Sequence, residues 1–357
     1  MKLPSRVLML LSGLTLVALA GDAYGANPPK ISKPKPAPPD LPADVPPLPP
    51  AELDPTLAVG GQDVKAKKVE TRLSVEVLVN GKGPYKFIVD SGADTSVVGL
   101  GIAQDLKLPL GRPAVLNGMT SRDLVDRVKV DELALGPTTI RNLEVPALRE
   151  FDVGGDGIVG IDALVSKRLM LDFEKRMIKV EDATARYIPV PGEIVVTARR
   201  ERGQLILTHV RAAGLPLDAV IDTGTEITIG NLALRDKLIR GNRNKFITIP
   251  VVGVTGVTAN LQFARIAELQ LGSVVISDVP MAFADVPPFK LFGLSDQPAL
   301  LLGTDLLESF RRISLDFKAR KVRFQLRKCK PEGVVISTDP NNFSRLSSTG
   351  DRDVCGR

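Results

Sequence analysis

The sequence predicts an all-β protein with few short helices, folded as two lobes that repeat one another. Three observations carry this. Aromatics make up only 4% of the 357 residues and Trp is absent, so the core must be built from Val, Leu and Ile, and the β-branched members of that set suit pleated sheets. The 28 Pro and 31 Gly demand many turns and leave room for few long helices. The chain also repeats itself: the same order of elements runs over about 69–182 and again over about 203–326. Hydrophobic residues are 44% of the chain and charged residues 25%, enough to bury a core in each copy.

From the N-terminus, Lys2 and Arg6 precede a short apolar run from Val7 to Ala20. Ala18-Leu19-Ala20 and Ala23-Tyr24-Gly25 both offer small-residue cleavage sites. Residues 1–25 read as a signal peptide, the run being short for a membrane span; an uncleaved anchor is the alternative. The expected location is the periplasm or the secreted fraction, with surface association open. Residues 26–56 are Pro-rich, with Lys33-Pro34-Lys35-Pro36 and Pro46-Pro47-Leu48-Pro49-Pro50. That composition predicts an extended polyproline linker that buries no core. A propeptide or a docking ligand are the other readings.

The first copy, lobe one over 57–182, opens on the alternating run Arg72–Val79, which reads as a strand. A turn at Asn80-Gly81-Lys82-Gly83-Pro84 follows, and then Tyr85-Lys-Phe-Ile-Val-Asp90-Ser91-Gly92-Ala93-Asp94. Residues 183–202 connect the copies, with a possible strand at Glu193–Thr197. The second copy, lobe two over 203–328, has Gln204–Val210, a turn at Gly214, and then Leu217-Asp-Ala-Val-Ile-Asp222-Thr223-Gly224-Thr225-Glu226. A short helical piece follows each loop, at 103–107 and 232–238. Gly157-Ile-Val-Gly160-Ile-Asp-Ala-Leu164 matches Leu300-Leu-Leu-Gly303-Thr-Asp-Leu-Leu307, and each leads into two further strands. The tail over 329–357 is polar. It holds Cys355, and Cys329 stands at its start; in an exported chain this pair suits a disulfide better than a metal, with two unpaired thiols as the alternative.

Much chemistry is excluded by composition. The chain has a single histidine, His209, placed in an alternating strand pattern where it reads as a half-buried strand residue. Multi-histidine metal sites are therefore out of reach, and no G-x-S-x-G elbow is present. Gly155-Asp-Gly-Ile-Val-Gly160 fits the dinucleotide pattern G-x-G-x-x-G, but it lacks the βαβ setting that gives the pattern meaning. Net charge is +6, yet Lys and Arg are spread along the chain without an aromatic platform, which argues against nucleic acid.

Carboxylates remain. In each copy an apolar strand delivers an Asp into a tight Ser/Thr-Gly turn, where Gly permits close approach. The Ser91 and Thr223 hydroxyls can bond across to the opposite loop. Two such loops on a pseudo-twofold axis bring Asp90 and Asp222 side by side. Like charges then raise one pKa, and the pair holds one proton, as a water-activating acid and base must. No metal or cofactor is required.

These residues resemble the aspartic peptidases of the retroviral-protease and pepsin clan. Asp90-Ser-Gly-Ala-Asp94 is similar to the retroviral loop, and Asp222-Thr-Gly-Thr225 to the pepsin loop. Val159-Gly160 and Leu302-Gly303 resemble the clan's second signature. The resemblance is to the two-lobed bacterial periplasmic retropepsin-like type, and it covers both repeats but not the linker or tail. It implies two closed β-barrel lobes related by pseudo-twofold symmetry, and an aspartic endopeptidase acting on extended polypeptide through Asp90 and Asp222. Ser91, Gly92, Thr223 and Gly224 would support the site, and Gly118 and Gly256 would tip substrate-covering flaps. Neither flap carries the Tyr of pepsin-like enzymes. The Arg that retroviral proteases place after the second-signature Gly is Ile161 and Thr304 here, so Asp94 and Glu226 are expected to lack their usual partner. A non-catalytic peptide-binding module or envelope scaffold on the same fold is the alternative. The connection of about 20 residues between lobes permits internal pairing, so a monomer is expected.

Overall fold

The computed structural model describes residues 30–39, 52–53, 62–69 and 72–327, except 137, 165–166, 184–186, 191, 202 and 240–245. The expected signal peptide, the C-terminal tail, Cys329 and Cys355 lie outside the described residues. The chain starts with β1 (Lys35–Pro36), β2 (Glu52–Leu53) and β3 (Gln62–Val69). Lobe one supplies β4 (Arg72–Val79), β5 (Lys82–Val89), β6 (Val97–Gly99), β7 (Ala114–Asn117) and β8 (Arg122–Val125). It continues with β9 (Arg127–Leu135), β10 (Thr138–Leu148) and β11 (Gly157–Val159). After it come β12 (Lys167–Asp172), β13 (Met177–Asp182) and β14 (Glu193–Glu201). Lobe two follows with β15 (Gln204–Ala212), β16 (Leu215–Ile221), β17 (Ile229–Gly230) and β18 (Ile247–Val252). It ends with β19 (Thr258–Leu271), β20 (Val274–Phe283) and β21 (Ala299–Leu302), before β22 (Phe310–Asp316) and β23 (Lys321–Leu326).

Each lobe closes into a six-stranded barrel. In lobe one the order is β4, β5, β11, β6, β10, β9 and back to β4. In lobe two it is β15, β16, β21, β17, β20, β19 and back to β15. The alternation read in Arg72–Val79 puts Leu73, Val75, Val77 and Val79 into the main core. The strands that lead to the two Asp residues are apolar on both faces for a reason. Phe87 and Val89 enter the main core while Ile88 packs into a second, local cluster. Ala219 and Ile221 do the same in lobe two, with Val220 in its own local cluster. Covered on both sides, such strands lose the alternation of a half-exposed strand.

A third sheet joins the barrels, in the order β3, β13, β12, β22, β23, β14. Its edges pair onto the lobes, β3 with β4 and β14 with β15. The pseudo-twofold axis passes between β12 and β22, where Arg168 faces Asp316 and Asp172 faces Arg312. The sequence reading left the strand pairs at 168–180 and 313–324 inside their own lobes. They pair with each other instead, because a strand's period reports which face is buried and not which partner it meets. Tyr187, in the connection, lies beneath the guanidinium groups of Arg323 at 3.9 Å and Arg168 at 4.9 Å, a cation–π arrangement.

The Pro-rich segment also departs from the spacer reading where it is described. β1 pairs antiparallel with β8, and β2 pairs antiparallel with β10. Pro is compatible with such edge positions because an edge strand bonds on one side only.

Candidate active site

Asp90 leaves the end of β5 and Asp222 leaves the end of β16. Each turn is held by its own carboxylate. Asp90 Oδ1 accepts the N–H groups of Gly92 at 2.7 Å and Ala93 at 3.0 Å. Asp222 Oδ1 accepts those of Gly224 and Thr225, both at 3.0 Å. The second apolar-Gly segment passes behind each loop: Asp90 N–H donates to the Val159 carbonyl at 3.0 Å, and Asp222 N–H to that of Leu302 at 3.1 Å.

The two loops clasp one another. Ser91 N–H donates to Thr223 Oγ1 at 2.9 Å, and Thr223 N–H donates to Ser91 Oγ at 3.2 Å. The Thr223 hydroxyl then donates to the Val89 carbonyl at 2.8 Å, and the Ser91 hydroxyl to that of Ile221 at 3.0 Å. Each hydroxyl accepts from one lobe and donates to it again, so all four bonds cross between lobes. Both residues are almost fully buried, which makes a lost partner costly, about 1–3 kcal/mol for an orphaned group.

The clasp sets the carboxylates against each other's glycines. A Cβ on Gly92 would stand 2.6 Å from Asp222 Cγ, and one on Gly224 would stand 2.0 Å from Asp90 Oδ2. Only Gly lets the loops come this close. Asp222 is 7% exposed, whereas Asp90 keeps a partly open face. Asp90 is pushed up to about 7, first by desolvation among these loops and then by the charge of Asp222, with bonds from Gly92 and Ala93 pulling back. Asp222 is also raised by burial, but the hydroxyl and amide of Thr225 and the amide of Gly224 oppose the rise. The two loops differ in one donor. Thr225 Oγ1 donates to the outer Asp222 Oδ2 at 2.8 Å, and the matching position in lobe one is Ala93, which has no hydroxyl.

The expectation that Asp94 and Glu226 lack their usual ion-pair partner is corrected for Glu226. Glu226 lies 3.0 Å from Arg72 Nε, and Asp94 accepts from the Gln204 side chain. Arg72 and Gln204 start β4 and β15, equivalent strands, so each loop is held by the opposite lobe. The missing position after the second-signature Gly is compensated by a strand start distant in sequence.

Two further carboxylates were not read as functional. Asp162 accepts the Ser96 N–H at 2.9 Å and hydroxyl at 2.7 Å, and Asp305 accepts those of Thr228 at 3.0 and 2.8 Å. The same hydroxyls accept the N–H groups of Gly160 and Gly303 at 3.0 and 3.1 Å. Each Asp thus ties the active loop to the segment behind it. Burial raises both, Asp305 to about 6. The available signal was their shared position, two residues after Gly160 and Gly303.

The flap candidates are hairpins, β7–β8 around Gly118 and β18–β19 around Gly256, and they cross. Met119 packs against the local cluster of lobe two, and Val254 against that of lobe one. The Ser121 and Thr255 hydroxyls meet at 2.7 Å. Gly256 needs its glycine: φ is +79°, and a Cβ would lie 2.7 Å from Arg149 Nη2. Gly118 has open room, its nearest neighbour being 3.6 Å away. His209 is exposed rather than half-buried. It lines an open groove of about 430 Å³ with Val195, Arg211 and Gln270, at the far end of β15 from Gln204.

Paired barrels and two clasped Asp loops define the class: a two-lobed protein with a carboxylate pair at its pseudo-twofold axis. The family model for aspartyl proteases matches residues 75–163 and 208–306, one stretch in each lobe and more than half of the chain. The chain belongs to that family. No curated protein matches it.

Proposed function

We propose that the chain is an active aspartic endopeptidase that hydrolyses peptide bonds of extended polypeptide with water activated by Asp90 and Asp222. The observation that carries this is the clasp, which holds two carboxylates against each other's loops while burial keeps a proton on the pair. Asp222, with its charge stabilised by Thr225 and Gly224, takes a proton from water. Asp90, which keeps its proton toward neutrality, donates to the peptide carbonyl. The water oxygen bonds to the carbonyl carbon and gives a tetrahedral diol. Collapse breaks the C–N bond as a proton passes to the leaving nitrogen, and the pair is left with one proton as before. This scheme needs no metal or cofactor. The crossed flaps support a substrate held extended between lobes, and a clasp within one chain supports a monomer. Export is proposed from the N-terminal sequence alone.

The test is hydrolysis of an unfolded protein from about pH 3 to 7, bracketing titration of the pair. Wild type should cleave, and Asp90→Asn and Asp222→Asn should each fall below about 0.1% of its rate, as for catalytic groups that act as one unit. A folded wild-type sample that cleaves at no pH would instead support the peptide-binding reading.

A further inference from the structure

We propose that Lys30–Pro39 is a strap: the outer edge of the β7–β8 flap is a binding surface for this one extended segment, which holds the flap closed over the cleft. The inference rests on the peptidase reading only where cleft entry is measured.

The segment is tied at both ends of the flap. Ile31 packs against the main core, and Ser32 N–H donates to Asp126 Oδ2 at 2.7 Å, beside the flap's base. Running antiparallel to β8, Lys35 pairs with Leu124 and Pro36 with Asp123. Ala37 N–H then donates to the Arg122 carbonyl at 3.1 Å, and the Arg122 guanidinium donates to the Pro38 carbonyl at 3.0 Å, close to the tip. β1, β8 and β7 form a sheet of their own, separate from the barrels. A flap that swings from its base must therefore pull away from a segment anchored in the body.

The sequence of the segment fits this one-sided role. Along an extended strand, successive N–H groups point to opposite edges. Ala37 directs its N–H at β8, so in the stretch beside β8 Pro34, Pro36 and Pro38 fall where the N–H would face away, and Pro39 lies in the turn that ends the segment. Their missing donors cost the ladder nothing, and they prevent a further strand from adding outside. A plain spacer has no need of this alternation.

The test uses the full chain. Ala37→Pro removes the N–H that reaches Arg122, and Ile31→Ala loosens the anchor by a different route. Pro36→Ala is the control, since its new N–H faces away from β8. Backbone hydrogen exchange over residues 114–125 and kcat/KM on a quenched peptide are read together. The strap predicts faster flap exchange in Ala37→Pro and Ile31→Ala, and kcat/KM about fivefold higher, the worth of roughly one net hydrogen bond. A synthetic peptide of residues 30–39 added in trans should reverse both changes in Ala37→Pro, and Pro36→Ala should show neither. Unchanged flap exchange in both test variants overturns the strap. Faster exchange with lower kcat/KM also overturns it, by showing that the segment shapes a working flap. If no form hydrolyses the peptide, the peptidase reading fails, and flap exchange still decides whether the strap restrains the flap.

Discussion

At the scale of single residues, the dyad is asymmetric in its surroundings although its loops are symmetric in shape. Thr225 supplies a hydroxyl to Asp222, and Ala93 supplies none to Asp90. The Asp90 carboxyl is raised from an ordinary 3.8 to about 7, first by burial and then by the charge of Asp222. The same shift has a consequence for stability. A carboxyl that binds its proton more tightly folded than unfolded makes the fold lose stability as pH rises from the unfolded pKa to the folded one. The loss therefore develops between about 3.8 and about 7 and stays in full above that window. Asp90→Asn removes the ionisable group. Its melting temperature is expected to exceed that of wild type by a few degrees at pH 8, with the gap closing near pH 4. A scan of both proteins across that range checks this; a gap that grows toward acid would contradict the assigned shift.

Among elements, the strand-to-loop junctions owe their rigidity to Asp162 and Asp305. Every described bond to the Asp305 carboxylate is accepted, from the Thr228 amide and hydroxyl and from Leu306 N–H at 2.8 Å. Asn at this site would turn an NH2 group toward donors. Asp305→Asn is thus expected to destabilise the protein by about 2–4 kcal/mol, as for a buried polar group whose partners are broken. Urea titration gives the value, and an effect under half a kcal/mol would remove Asp305 from this structural role. How these elements read in the sequence varied. Arg72–Val79 was plain as a strand because one face is core and the other is not. The tie between Asp162 and Ser96 was not, since the residues are far apart in the chain and neither breaks a local pattern. Residues 30–39 looked like a spacer because Pro content reports what a strand cannot donate, and pairing along one edge leaves that content unchanged.

On the scale of the whole molecule, the lobes are joined twice: by the clasp at the dyad and by the central sheet. In that sheet Arg168 Nε meets Asp316 Oδ2 at 3.0 Å and Arg312 Nε meets Asp172 Oδ2 at 2.5 Å. Asp172 and Asp316 are fully or almost fully buried, and a buried charge that loses its partner is strongly destabilising. Neither lobe can unfold without exposing these pairs on the other. Scanning calorimetry of the full chain is therefore expected to show one transition, and two resolved peaks would mean that the lobes are independent folding units.

By itself the sequence determined the all-β class, the two repeats and the two Asp-Ser/Thr-Gly loops. It could do so because periodicity and repeated short motifs are local, and each is visible within a few residues. The tertiary structure alone decided what those loops touch: Arg72 against Glu226, Gln204 against Asp94, each flap tip against the other lobe, and β12 against β22. Those contacts join residues far apart in the chain. Pattern says which face of a strand is buried, and only the closed barrels and their shared sheet select the partner that buries it.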